Sequence, residues 1–278
     1  SLTDVDFRDI INNTGTTWTG TRLGDCGGNT GITFSAAKTV YWNLSGSQSY
    51  ISTGWATTQT GVPASTNFPL PQDTAIFTDT APVAGSTITI NSLVKNIGTL
   101  NFSSRSNALN FAISGDVSTY GNITLSSAIT LSGTSVLTFA GRNVTQTITS
   151  SGKSFTQDIT INAIGSTITL NDAFSSTRTS LSALTLANGT VNLAGYTLSA
   201  YAVVTSAGTK NITFNGGTLV CYGATLPFNN AYPTGFTTTA GSGVGTISIT
   251  SATSKSFDGG SSTYNCTLNQ GGAGALII

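Results

Sequence analysis

The chain contains no histidine, no methionine and no glutamate, so its ten acidic residues are all aspartates. Without histidine, the sequence cannot supply Ser-His-Asp triads, Cys-His pairs or histidine-based metal sites. Strong helix formers are scarce as well, and Thr, Ile, Val, Ser, Asn and Gly dominate the composition. This mixture favours short strands joined by tight turns.

Charged residues are scarce as well: they make up 7% of the 278 residues, and the formal net charge is zero. The hydrophobic fraction of 38% still gives enough apolar surface to offset the entropy of ordering the chain, which argues against disorder. No apolar run approaches the roughly 18 residues that span a bilayer, so we expect no membrane insertion. The lack of a basic patch argues against a nucleic-acid partner.

From Gly85 onward, the chain is a series of short runs in which apolar residues alternate with Thr, Asn or Ser, which is the period of a half-buried strand. Members of these runs recur at intervals of 21, 20, 19 and 20 residues, at Ile88, Leu109, Ile129, Ile148 and Ile168. A repeat near this length predicts a solenoid, because one coil cannot bury its own apolar face and must stack on its neighbours.

The predicted fold is therefore an all-β parallel β-helix (β-solenoid), right-handed by the general preference of parallel crossovers. We expect coils over residues 81–278, with aliphatic side chains in columns at about 4.8 Å per coil. For residues 1–80 we expect an irregular N-terminal cap or a small β subdomain. The strand-like run at residues 275–278 predicts that further coils follow or that a partner covers this end.

A β-sandwich or jelly roll is the competing fold, because its strands also recur at about 8 to 12 residues. A fixed interval and repeated peptides are unusual in sandwiches and favour the solenoid. The repeated peptides include residues 85–90 with 165–170, and residues 153–155 with 255–257.

Several segments resemble repetitive β-solenoid structural proteins of marine tailed bacteriophages, of the tail-fibre or virion-appendage type. They are DCGGNTGITF at 25–34, TVYWNL at 39–44, NFPLPQDTA at 67–75, GKSFTQ at 152–157 and LNQGGAGAL at 268–276. The resemblance implies a large virion-associated, extracellular protein, with self-association as a homotrimer or through further repeats. It supplies no functional residues. Bacterial surface adhesins of the filamentous-haemagglutinin type share the same repetitive, Thr- and Gly-rich sequence character.

The expected function is a non-enzymatic structural and adhesive rod, with no cofactor. The alternatives are a bacterial surface adhesin or extracellular filament protein, and a polysaccharide depolymerase of the β-helix type. A hydrolytic depolymerase would need paired carboxylates, for which Asp4, Asp6 and Asp9 are the first candidates and Asp158 with Asp172 the second. Asp4, Asp6 and Asp9 form the candidate calcium cluster, and the alternative for them is a solvated strand face with an ion pair to Arg8.

Aromatic residues concentrate in the first part of the chain. Sugar rings stack on aromatic faces, so the predicted glycan-contact residues are Trp18, Tyr41, Trp42, Tyr50 and Trp55. The alternative is that these side chains form the core of the cap.

The three cysteines show no metal-ligand spacing. Alternation places Cys221 and Cys266 on inward faces as buried thiols about two coils apart, too far for a disulfide. Cys26, in a glycine-rich turn, is expected to be accessible.

Overall fold

The computed structural model describes residues 2–278 and is a β-solenoid of about 13 turns, with 45% of residues in strands. The predicted all-β parallel solenoid is confirmed. Within residues 2–278, the only helical element is a 3₁₀ turn at Ser65–Asn67.

The strands are short, and those before residue 120 are β1 Leu2–Thr3, β2 Asp6–Phe7, β3 Gly20–Thr21, β4 Gly24–Asp25, β5 Thr39–Trp42, β6 Gln48–Ser49, β7 Trp55–Ala56, β8 Thr74–Ile76, β9 Ser86–Ile90, β10 Asn96–Ile97, β11 Thr99–Asn101, β12 Leu109–Ile113 and β13 Val117–Thr119. The next strands are β14 Ile123–Thr124, β15 Ile129–Ser132, β16 Val136–Phe139, β17 Thr145–Thr149, β18 Ser154–Phe155, β19 Asp158–Leu170, β20 Phe174–Ser176, β21 Leu184–Asn192 and β22 Thr197–Ala200. The last are β23 Val203–Thr205, β24 Lys210–Thr213, β25 Thr218–Cys221, β26 Thr225–Asn229, β27 Phe236–Thr239, β28 Gly245–Ile249, β29 Lys255–Asp258, β30 Cys266–Gln270 and β31 Leu276–Ile277.

Each complete coil has three faces, and every face is a ladder of parallel strands. Face A contains β6, β9, β12 and β15, followed by a second ladder of β18, β20, β22, β25, β28 and β30. Face B contains β10, β13, β16, the start of β19, the start of β21, β23, β26, β29 and β31. Face C contains β5, β8, β11, β14, β17, the ends of β19 and β21, β24 and β27.

Inward side chains of successive coils stack in columns. The column of face B consists of Val117, Leu137, Ile159, Leu184, Val203, Phe228 and Phe257. All its members are buried and belong to one continuous apolar core. Outward positions alternate with them and carry mainly Thr, Ser and Asn. Stacking thus buries apolar surface that one coil would leave in water, at about 25 cal/mol per Å².

The regular interval in the sequence combines residues from two faces. Leu109 and Ile129 are paired neighbours on face A. Ile88, however, pairs with Phe111 rather than with Leu109, and Ile148 lies on face C. The period predicted the architecture correctly, but it did not give the register, because the turns between faces differ in length from coil to coil.

The stack also begins earlier than the predicted boundary at residue 81. Strand β5 pairs in parallel with β8, and β8 pairs with β11. The first ladder strand therefore lies at Thr39–Trp42, where an alternating apolar pattern places Val40 and Trp42 in the core. Residues 2–34, which we call the N-terminal arm, pair separately: β1 with β3 and β2 with β4, both parallel.

The first coils are filled with aromatic rings instead of aliphatic columns. Trp42 and Trp55 meet edge to face with ring centroids 5.0 Å apart, and Tyr50 lies 5.0 Å from Trp55. Phe77 stacks on Phe102 at 4.7 Å. The indole N–H of Trp42 donates to the Leu44 carbonyl and that of Trp55 to the Tyr50 carbonyl, so both polar edges are satisfied inside the core.

Buried cations satisfy backbone carbonyls where the chain turns. Lys255 is 1% exposed, and its Nζ donates to the carbonyls of Ser251 and Gly274, each at 2.7 Å. Lys210 and Arg105 are 2% exposed and likewise donate to backbone carbonyls. Backbone carbonyls at the turns, which do not pair with a neighbouring strand, are therefore hydrogen-bonded by these buried cations.

One glycine is required by a close approach between coils. Gly133, which follows β15, has a φ of 88°. A Cβ at this position would overlap the carbonyl oxygen of Ile113 in the preceding coil. Both the left-handed backbone and the close contact exclude a larger residue.

Truncating the aromatic core tests the packing. Phe111 is 1% exposed, and its ring centroid lies 5.1 Å from that of Phe102 and 5.7 Å from that of Phe77. Phe111→Ala should lower the free energy of unfolding by about 3–5 kcal/mol, because it removes buried area and leaves a cavity. Leu93→Ala is the control, since Leu93 is 72% exposed, and should change it by less than about 0.5 kcal/mol. Urea denaturation measures both, and equal effects would contradict the core assignment.

Candidate functional site

The N-terminal arm lies against the flank of the solenoid and crosses three successive coils. Asn96 Nδ2 donates to Asp6 Oδ2 at 2.7 Å in the coil of β10. Arg8 Nη1 donates to the Tyr120 hydroxyl at 3.2 Å in the next coil. The third contact, in the coil of β16 and β17, joins Arg142 Nε to Asp9 Oδ1 at 3.0 Å.

A second set of contacts holds β4 of the arm against the first coils. The backbone N–H of Asp25 donates to Gln72 Oε1 at 2.9 Å, and Gln72 Nε2 donates to the Leu23 carbonyl at 3.1 Å. Arg22, also in the arm, donates to the Ser65 carbonyl at 2.8 Å. These bonds are polar and join residues far apart in sequence, so the arm is attached by specific pairs together with the buried Leu23.

A cleft of about 690 Å³ opens between the arm and face B. This volume is within the range of about 300–1,000 Å³ that is typical of ligand sites. The arm contributes Asp6, Phe7, Arg8, Ile10 and Cys26 to its wall. Face B contributes the opposite wall and the floor, including Lys95, Asn96, Asp116, Ser118, Tyr120 and Thr138.

The floor of the cleft is a regular row of outward polar side chains. Asn96 is in register with Ser118, and Ser118 with Thr138. Neighbouring members of such a row are about 4.8 Å apart, which is the strand spacing. The row continues beyond the cleft to Thr160 in the following coil. Alternation puts these side chains outside because their neighbours Val117 and Leu137 fill the core.

The charges of the cleft balance. Two cations, Arg8 and Lys95, and two carboxylates, Asp6 and Asp116, line it. Partial desolvation against the flank raises the pKa of Asp6, and the hydrogen bond from Asn96 opposes that rise. The carboxylate of Asp116 accepts from the backbone N–H of Val136 at 2.8 Å, which ties its side chain to the floor.

Tyr120 and Cys26 meet on the inner side of the cleft. Burial raises the pKa of the Tyr120 phenol to about 12, so the phenol stays neutral near neutral pH. Burial likewise raises the pKa of the Cys26 thiol to about 12, with Asp6 adding to the rise. Cys26 is 2% exposed, so the expectation of an accessible thiol is wrong: it directly follows β4, and its backbone N–H donates to the Phe7 carbonyl within the arm. The half-buried Tyr120 can therefore offer a neutral O–H group to a ligand, whereas the Cys26 thiol is buried.

The predicted glycan-contact residues do not form one surface. Trp42, Tyr50 and Trp55 are at most 1% exposed and pack on one another, so they have no face to offer a sugar, as the alternative of a cap core anticipated. Trp18 is 37% exposed and Tyr41 is half-buried. The prediction therefore remains for these two residues, which lie in separate elements, the arm and β5.

The candidate calcium cluster is dispersed among different partners. Asp4 accepts from Arg22 Nε at 2.6 Å, while Asp6 and Asp9 accept from residues of the solenoid. Asp4 and Asp9 have left-handed φ values of 53° and 56°, which break the alternation that would have aligned the three carboxylates. Within residues 2–278, no group of three or more metal-ligating acidic, histidine or cysteine side chains is assembled. The structure therefore does not bring the three carboxylates of the calcium hypothesis together.

The distant carboxylate pair is also separated. Asp158 accepts from Arg178 Nε at 3.3 Å, whereas Asp172 accepts from the backbone N–H groups of Ser150 and Ser151. The two aspartates lie at opposite ends of the long strand β19, one before face B and one after face C. They therefore cannot act on one bond.

Reversing one charge should release the arm. Asp9→Lys would place a cation beside Arg142, whose side chain is 4% exposed, and like charges there would repel. We expect faster hydrogen exchange and proteolysis confined to residues 2–34. Asp158→Lys is the control, because Asp158 pairs with Arg178 within the solenoid; it should leave the arm protected. Unchanged exchange in the Asp9 variant would contradict attachment through this pair.

The thiols should be protected in the folded chain. Burial raises the pKa of Cys26 to about 12 and that of Cys266 to about 11, above the ordinary 9.0, and also raises that of Cys221. At pH 8 we expect slow alkylation of the native protein and rapid alkylation in urea. Because the unfolded thiols lose protons first, this contribution to stability is complete below pH 9 and falls as pH rises toward 12. Rapid labelling of native Cys26 would contradict its placement.

No protein-family model, curated protein or solved structure matches this chain. Within residues 2–278, no helix has the length and apolar character needed to cross a membrane. Functional inference therefore depends on the geometry of the fold and of the cleft.

Proposed function

We propose that the protein is a non-enzymatic structural and adhesive rod, forming part of a bacteriophage tail fibre or other virion appendage. The observation that supports this most directly is the parallel stacking that continues through faces B and C from β5 to β31, with one apolar core running through it. A solenoid of this kind is a stiff, extended body whose length grows by about 4.8 Å with each coil. Such a body suits a spacer that holds a binding surface away from a particle.

The outer surface supports an adhesive role. Its ladders present Thr, Ser and Asn at regular spacing, and several outward side chains bond to the next coil, such as Asn211 Nδ2 to Thr237 Oγ1 at 2.7 Å. A surface of hydroxyls and amides stays hydrated without charge and meets other polyhydroxyl surfaces through hydrogen bonds. We further propose an extracellular or virion location and self-association, with a homotrimer as the default form.

A bacterial surface adhesin or extracellular filament protein is the first alternative, because it would use the same rod and the same outer faces. A polysaccharide depolymerase is the second. The observation that favours it is that Asp6 and Asp116 approach one cleft from opposite walls, and a pair of carboxylates is what glycoside hydrolysis requires.

Locating the protein in its native assembly tests the proposal. Gold-labelled antibodies raised against the purified chain should bind to appendages of virions in electron micrographs. In solution scattering, the chain alone should behave as a rod roughly 60 Å long, given about 13 turns at about 4.8 Å per coil. Gold on cell envelopes in place of virions would overturn the virion assignment and support the adhesin. Release of new reducing ends from host polysaccharide, abolished in Asp116→Asn, would overturn the non-enzymatic assignment.

A further inference from the structure

We propose that the cleft between the N-terminal arm and face B is a binding site for an uncharged saccharide chain. This inference rests on the proposed adhesive function, since it names the ligand class that the rod would hold.

The dimensions suit a short segment of a polymer. The cleft has about 690 Å³ of space and spans the coils of β10, β13 and β16, because residues of all three line it. At about 4.8 Å per coil, its floor follows the rod axis for on the order of 10 Å. Thr160, the next member of the row after Thr138, does not line the cleft.

The charges select against ionic ligands. Each side of the cleft carries one cation and one carboxylate, Arg8 with Asp6 on the arm and Lys95 with Asp116 on face B, so the site has no net charge at neutral pH. A polyanion or a polycation would meet a like charge wherever it lay in the cleft. A neutral polyhydroxyl ligand, in contrast, can accept from the cations and donate to the carboxylates at the same time.

The side chains of the cleft match the two surfaces of a sugar. The row of Asn96, Ser118 and Thr138 offers amide and hydroxyl groups to hydroxyls. On the arm, Phe7 lines the cleft and is fixed by edge contact with Phe34 at 6.1 Å, which holds an apolar surface in place. Saccharides combine apolar ring faces with polar rims. The apolar surface of Phe7 on the arm and the polar row on the floor therefore match the two surfaces of a sugar.

The strand pairing argues against an extended peptide as the occupant. Strand addition requires a free sheet edge. The floor strand β13 is paired on one side with β10 and on the other with β16, and β16 is paired in turn with β19. The backbone groups of β13 and β16 are therefore committed to the ladder, and a ligand that lies over these two strands must be recognised by side chains.

A matched pair of substitutions tests the site. Thr138→Arg fills the cleft, whereas Thr160→Arg places the same side chain at the paired position of the next coil, outside the lining. Lys95→Ala removes a cation of the lining from an exposed position where folding should tolerate it. Binding of the intact chain to neutral, uronic-acid-containing and sialylated oligosaccharides is measured on an array and then by calorimetry, with melting temperatures as the folding check.

We expect neutral oligosaccharides to bind, Thr138→Arg to weaken binding at least tenfold, Lys95→Ala to weaken it severalfold, and Thr160→Arg to leave it unchanged. Three results would each overturn the inference: equal losses in both arginine variants, a preference for acidic oligosaccharides that Thr138→Arg strengthens, or capture of peptides but no saccharide. Gold labelling of appendages does not depend on this ligand. An array without saccharide binding beside labelled appendages therefore overturns the ligand assignment alone, whereas unlabelled appendages count against the rod.

Discussion

The whole structure depends on one constraint: the apolar face of a coil becomes buried when the next coil lies on it in register. The chain meets this constraint by keeping aliphatic or aromatic residues at inward positions of all three faces, so that columns such as Val117, Leu137 and Ile159 run through the core. Parallel pairing then places like positions on like positions, which makes the outer surface regular as well. The apolar core and the polar outer surface are two results of the same alternation.

The interior tolerates polar groups where the coil must turn. Lys255 caps carbonyls at one corner. Asn188 Nδ2 donates to Asn162 Oδ1 at 2.9 Å, and Asn215 Nδ2 donates to Asn192 Oδ1 at 2.8 Å. Side-chain amides thus connect successive coils at corners, where backbone pairing between strands is interrupted. These groups let the coil length vary without unsatisfied backbone, which explains why the repeat in the sequence is irregular.

The architecture could be predicted from alternation and period, because both follow from contacts between successive coils. Alternation also assigned Cys221 correctly to an inward face. Register could not be predicted, since Ile148 belongs to a different face from Leu109. The cleft could not be predicted either, because its two walls come from distant parts of the sequence. Arg8 and Tyr120 are 112 positions apart, and no pattern in either segment shows that the arm folds back along the flank.

The arm changes how the rod can come apart. In a simple solenoid each coil interacts with its two neighbours, and the ends can unravel one coil at a time. Here Asp6, Arg8 and Asp9 tie three successive coils to one arm, from the coil of β10 to that of β17. Loss of any one of these coils therefore strains the others, so this end of the stack should resist pulling as a single mechanical block while the opposite end peels.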